Sequence, residues 1–525
     1  MTQFDAIVIG GGVNSLVTAA ILGKVGKKVL VLESRNEVGG LASTKEFAPG
    51  FKCNVIHDTL KWIDPRVMAE LNLKSHGLEW IKPDVVRIAL GKDGEYIAFH
   101  RDPKQTADSI AHHSKKDADV WGEFTSYIEK SVNFLERLYE LTPPSLPNVG
   151  LFEALSMHSM LGPIFKHGSR GVVDLMRVMP MMMPELMDEW FENELLRSAV
   201  ATAGIHHLSF GPFAAATGYN LLHQHLHSSG VFHNVKFAKG GTIELANALK
   251  TVAESYHVAI ETNSKVSSID TDNGICSGVT LVNEKSVKVK IIVSGLDPRN
   301  TFINLVGAPK LNPNFHTQLR NIKYRGSTAR IHFALKDLPQ INNVSQDMMK
   351  TVFSIAPTIE YQEKASDSVK YGIVANEPTV EFTIPSLFNS DFAPDDKHVL
   401  SATVQYVPYH LRDQKWNDEL KSILKKNVVR VLEKTIPSFS SLVESSIVVS
   451  PLDLENEFGL TEGNLNHGEM TLDQFFFMRP TISAAQYKSP LQNLYICGSG
   501  THPGGGLHGT NGFNAAQEIL KESKS

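Results

Sequence analysis

Residues 4–9 form a short run that is apolar except for Asp5 and shows no polar alternation. This is the pattern of a strand buried on both faces. Gly10, Gly11 and Gly12 follow, then Val13, Asn14 and Ser15, and residues 16–25 carry the apolar spacing of a helix. KVLVLE at residues 28–33 predicts a second buried strand, so residues 4–33 read as one β-α-β unit. Residues 76–236 differ in texture. Longer amphipathic segments dominate there, with a break at Pro143, Pro144 and Pro147 and then a tract holding eight of the 14 methionines between Met157 and Met187. After Lys239, Gly240, Gly241 and Thr242 a helix with Ile243, Leu245, Leu249 and Val252 on one side is expected. The runs VAIET, KVSSID, CSGVTLV and VKVKIIVSG then predict a strand, a small antiparallel meander and a strand returning to the first sheet. Residues 301–484 are mixed, with strand-like RIHFAL and HVLSATVQYV. Near the end an apolar run at 494–497 precedes seven glycines between Gly498 and Gly512, and a last helix follows.

This order implies an α/β fold of two discontinuous units. A Rossmann-like dinucleotide-binding domain is expected from 1–75, 237–300 and 485–525, and an α+β substrate domain from 76–236 and 301–484. The chain has 525 residues, 42% hydrophobic and 20% charged, the make-up of a soluble globular protein. A net charge of -5 with no dense Lys/Arg block gives no electrostatic case for a nucleic-acid partner. Cys53, Cys276 and Cys497 lie far apart, which argues against a disulfide framework, a thiolate metal site and dithiol redox chemistry. An apolar run so close to the start leaves no room for a targeting peptide, and no stretch nears the ~20 apolar residues of a spanning helix. A cytoplasmic protein is expected, with peripheral membrane contact left open. No pattern sets the oligomeric state.

The first turn carries the sharpest chemistry. Gly10 permits the tight turn, Gly12 lets the backbone approach a pyrophosphate, and Ser15 is small enough for the helix to pack on the strand. The helix N-terminus offers free N–H groups to phosphate. Glu33, 23 positions after Gly10, closes the second strand, where a carboxylate accepts hydrogen bonds from a ribose and repels a 2'-phosphate. Gly39 and Gly40 supply a second glycine pair.

The stretches DAIVIGGGVNSLVTAA, VLESRNEVGGLASTKEFAPGFK, FAKGGTIELANAL, GNLNHGEMTLDQFFFMRP and CGSGTHPGGGLHGTNGFNAA span the whole chain. Together they resemble the FAD-dependent phytoene desaturase and amine oxidase superfamily, nearest to its pyridine nucleotide-disulphide oxidoreductase domain-containing branch. The resemblance implies a glutathione-reductase-type FAD domain. Gly10, Gly12, Asn14 and Ser15 would border the pyrophosphate, and Glu33 would meet the adenosine ribose. Gly39 and Gly40 would pass the phosphates, Leu41 and Ala42 would face the flavin end, and the Val266 backbone would meet adenine. Gly498, Gly505, Gly506 and Leu507 would lie along the flavin, where glycines leave room for the ring. Leu41 stands where many relatives place an Arg.

The implied activity is hydride removal from a C–H bond of a hydrophobic small molecule, polyene, carotenoid-like or lipid, with electrons passed to oxygen or a quinone. An amine oxidase, a non-catalytic prenyl or lipid carrier and a flavoprotein scaffold are the alternatives. His502, inside the glycine loop, is the candidate catalytic residue. The run His223, His225, His227 is expected on a helix surface and not as a metal site; no metal is expected. His206 and His207 are expected as a structural pair. The methionine tract suits either core packing or a lipid surface.

Overall fold

A computed structural model describes residues 4–145 and 171–523, so Met157, Met160 and Pro147 lie outside the described residues. The first strand, Ala6–Ile9, is buried on both faces and pairs in parallel with Val29–Leu32 on one side and Ile291–Ser294 on the other. Ala259–Glu261 and Leu494–Ile496 complete a five-stranded parallel sheet. The helix Val13–Lys24 is the crossover between the first two strands, and its apolar residues leave almost none of it exposed. The expected meander is present as Val266–Asp272, Ile275–Leu281 and Ser286–Lys288, all antiparallel.

A second, seven-stranded sheet has the order Val443–Val449, Thr328–Leu335, His398–Gln405, Val380–Thr383, Val352–Ile355, Val85–Leu90, Tyr96–His100. The last two strands fall in the stretch read from sequence as long amphipathic segments. VVRIAL and YIAFH are short, and they pair only with each other and with a strand more than 250 residues away. The hairpin of Thr44–Ala48 with Phe51–Asn54 is also not foreseen. One face of the large sheet, with Ile331, Phe333, Leu400, Ala402 and Phe382, packs into an apolar core under the helix Asp418–Glu433. The opposite face presents Arg330, Thr403, Glu381 and Arg87 toward the helix Glu194–Ile205, which packs on the helix Thr217–Gln224.

The methionine tract divides. Met183 and Met187 are fully buried in the core of the helical layer, whereas Met176 is 69% exposed. Among the described residues no helix is long and apolar enough to cross a membrane.

The two ends of the chain meet. Thr18 Oγ1 lies 3.0 Å from Asn14 O and 2.9 Å from Gly512 O, and Gly512 N donates to Asn14 Oδ1 at 3.4 Å. Asn14 Nδ2 reaches Ser499 Oγ at 3.4 Å. A Cβ on Gly512 would overlap Asn14 O. In the helix Thr510–Glu522, alanine is favoured over glycine by up to about 1 kcal/mol. The overlap should outweigh that gain at about 1–3 kcal/mol. Gly512→Ala is therefore expected to lower the urea-unfolding midpoint, and a midpoint equal to or above wild type would show that the two helices are not in this contact.

Candidate functional site

The first turn is held open by its own backbone. Gly10 has φ +90°, and Gly11 N donates to Glu33 Oε2 at 2.6 Å. The other Glu33 oxygen accepts from Arg35 N at 2.8 Å and Ser34 Oγ at 3.2 Å, so the carboxylate is fixed against the turn. Gly12 caps the helix Val13–Lys24 with no side-chain hydrogen bond, and a Cβ there would meet nothing within 4 Å. Free first-turn N–H groups facing clear space are what a pyrophosphate requires, and the residues present fit that group. The second glycine pair runs alongside: Gly39 N donates to Gly11 O at 2.8 Å, and a Cβ on Gly40 would come within 3.1 Å of Gly12 Cα. Arg35, which sequence reasoning passed over, donates to Gly40 O at 3.2 Å and braces this pair.

The remaining predicted positions divide by surroundings. Asn14 and Ser15 sit at the turn, with Asn14 bridging to the C-terminal loop. Leu41 packs with Val55 and Ile56, whereas Ala42 is fully buried in the core of the parallel sheet. Val266 opens its strand two residues after Ser264, whose N–H donates to Glu33 O. In the C-terminal loop the glycines answer to protein atoms. A Cβ on Gly498 would overlap the Gly295 carbonyl, and one on Gly505 would overlap the Asn466 side chain. Gly506 is exposed and Leu507 is partly buried.

Arg479 anchors this loop. Its guanidinium is 2% exposed and donates to six backbone carbonyls, including Ser499 O at 2.9 Å, Thr501 O at 3.2 Å and Asn466 O at 2.7 Å. No acidic side chain takes part.

His502 is fully buried inside the glycine loop. Its Nε2 donates to Leu138 O at 3.0 Å, and Tyr139, Phe475 and Phe476 box the ring. Burial drives its pKa down to about 3, so the ring stays neutral at ordinary pH, with Nδ1 buried and without a hydrogen-bond partner. The His223–His227 run is not one helix face. The helix ends at Gln224, and His227 has φ +48°. His223 accepts from Tyr139 Oη at 2.7 Å on Nδ1 and donates from Nε2 to Gly505 O at 3.0 Å. His508 Nε2 reaches the same carbonyl at 3.1 Å, and its ring stacks on Trp62 at 4.1 Å. Burial raises the thiol pKa of Cys497 to about 11 and of Cys53 to about 12, and all three cysteines are free. Thiolate chemistry is unsupported.

A small cavity of about 40 Å³ lies between the chain after the hairpin and the polar face of the large sheet. Ile56 belongs both to its lining and to the cluster that holds Leu41. The large sheet contributes Arg87, Arg330 and Glu381, and the chain after the hairpin contributes His57, Asp58 and Lys61. Arg87 pairs with Glu381 at 2.7 Å, and Arg330 pairs with Asp58. Lys61 donates to Gln224 Oε1 at 2.6 Å, next to the His223 that binds the glycine loop. Burial lowers the pKa of His57 to about 3 and holds His206 and His207 neutral. His206 and His207 both line the cavity, their ring centroids 3.9 Å apart and their planes tilted by 45°. Sequence spacing offers no signal for this group, because strand register brings it together.

A parallel sheet with a bare-backbone turn, an acid closing its second strand and a buried polar cavity close by define a dinucleotide-dependent oxidoreductase. The match of the flavin containing amine oxidoreductase family covers residues 16–520, and the chain belongs to that family. Its cofactor is FAD. Among relatives, the chain is 29% identical to pyridine nucleotide-disulfide oxidoreductase domain-containing protein 2 of Rattus norvegicus, over all of this chain and 94% of the relative. It is 24% identical to a phytoene desaturase of Fusarium fujikuroi, over 99% of this chain and 90% of the relative. The fold is similar to that of an oxidoreductase from Methanosarcina mazei, with a TM-score of 0.61 at 13% identity over 98% of this chain and all of that one.

Because the space above Gly12 is clear and its φ of -70° suits any residue, Gly12→Ala should leave unfolding stability within about 0.5 kcal/mol. FAD retention should fall by about tenfold or more. Equal loss of stability and FAD, or unchanged FAD affinity measured by flavin fluorescence, would contradict this geometry.

Proposed function

We propose that this FAD-dependent oxidoreductase removes hydride from a C–H bond of an organic substrate bound in the polar cavity, the electrons leaving to oxygen or a quinone. The turn at Gly10, Gly12 and Ser15 holds the pyrophosphate, Glu33 the ribose, and the Val266 backbone the adenine. Gly39, Gly40, Leu41 and Ala42 run toward the flavin, and Gly505, Gly506 and Leu507 lie on its other side. The pieces 1–75, 237–300 and 485–525 act as the cofactor domain, the rest as the substrate domain. Bound FAD supplies a two-electron hydride acceptor.

The observation that carries this reading is the placement of the cavity, which shares Ile56 with the cluster around Leu41. Around it the chain's own groups orient the substrate and exclude water, since the sheet face is covered by the helical layer. Apolar Val235 and Val352 share the lining with the charged groups. That mixture favours a substrate with an apolar body and a polar head over a pure hydrocarbon. Amine oxidation fits less well: both lining carboxylates are already paired with arginine, so neither is free to pair with an ammonium group.

Anaerobic mixing of the FAD-loaded protein with a lipid extract is expected to bleach the visible flavin absorbance, and simple alkylamines are expected to leave it unchanged. Bleaching by amines with lipids inert would replace this reading with amine oxidation.

A further inference from the structure

Lys61 is the cation without an anion in the cavity. The two guanidiniums and the two carboxylates neutralise each other as Arg87–Glu381 and Arg330–Asp58. Among the described residues Lys61 has no carboxylate within ion-pair reach, and its protein partner is the neutral Gln224 amide. Nearby His57, His206 and His207 are neutral and compensate nothing. The cavity therefore carries one surplus positive charge when Lys61 is protonated.

Donors are also in excess. Arg87 Nε and Arg330 Nε are buried and have no hydrogen-bond partner, although both residues are about 97% buried. Thr383 Oγ1, on the same sheet face, and His207 Nε2 are likewise unpartnered. A buried N–H left unpaired costs about 1–3 kcal/mol, so a lining with spare donors and a spare cation favours an acceptor-rich anion. An ammonium group would add a second uncompensated charge.

We infer that the cavity binds the carboxylate of an amphipathic substrate, with Lys61 as its charge partner. This deepens the reading of the cavity as the substrate site and rests on it. Lys61 is a specificity residue here, not a general base.

The inference has a pH signature. Burial lowers the Lys61 pKa to about 7, with Glu381 raising it and Arg87 lowering it further. His57, His206 and His207 do not titrate in the same range, and Arg87 holds the Glu381 carboxyl below its ordinary value. Binding of an anion should therefore be strongest below about pH 7 and weaken above it as Lys61 loses its proton.

The test is calorimetric titration of the FAD-loaded protein with octanoate, 1-octanol and octylamine at about pH 6.5 and about pH 8.5, values on either side of the Lys61 pKa. Octanoate is expected to bind at least about tenfold tighter than octanol or octylamine at the lower pH, and to lose most of that advantage at the higher. Lys61→Met should abolish the preference and its pH dependence, while Lys61→Arg should keep the preference and remove the pH dependence. Equal binding of octanoate and octanol by wild type, or a preference that survives Lys61→Met in a folded protein, would overturn the inference. If a neutral lipid bleaches the flavin while octanoate shows no preference, the oxidoreductase reading stands and the carboxylate site falls. If octanoate binds as expected but no C–H donor bleaches the flavin, the reverse holds.

Discussion

The contact between Thr18 and Gly512, 494 residues apart, is the constraint on which the rest of the structure depends. It presses the helix leaving the first glycine turn against the helix that ends the chain. The C-terminal glycine loop must then run beside the turn, with Asn14 bridging to Ser499. Glycine at 512 is what allows the approach, since any side chain would overlap the Asn14 carbonyl. Arg479 fixes the far side of the same loop by binding carbonyls from both 466–474 and 499–501. One helix contact and one buried cation thus define where the two bare-backbone segments lie.

The second organising feature is a sheet whose polar face is buried. Strand register places Arg330 opposite Thr403 and Thr403 opposite Glu381, so charged groups distant in sequence share one wall. Burying these charges is costly unless they are paired, and two pairs meet that cost. Lys61 is left over, and a structure that keeps such a group beside unpaired guanidinium N–H donors is built to receive an anion. The emphasis shifts from a polyene or carotenoid-like substrate toward one with a polar head.

Legibility in the sequence follows range. The strand–turn–helix–strand unit at residues 4–33 could be read because its signals are local: apolar runs, glycines at fixed spacing and Glu33 at the strand end. The meander at 266–288 was legible for the same reason. The strands at 85–90 and 96–100 were not, because pairing with Val352–Ile355 is what makes them strands. The cavity was hidden for a further reason. Alternation in TARIHFAL and HVLSATVQ reads as one wet face, yet that face is covered by helices, and alternation alone cannot distinguish solvent from a cavity. His502 drew attention by lying in the glycine loop, but only its packing partners reveal it as a neutral, enclosed ring. The loop glycines also make room for neighbouring backbone and side chains, which the sequence does not reveal.

The central claim is that both ends of the chain grip one FAD. Hydrogen exchange of the protein with and without FAD tests it most directly. The account predicts that FAD slows exchange at the amides of residues 10–15 and of 498–514 together, with the same dependence on FAD concentration. Protection confined to the first turn, with the C-terminal loop unchanged, would contradict it.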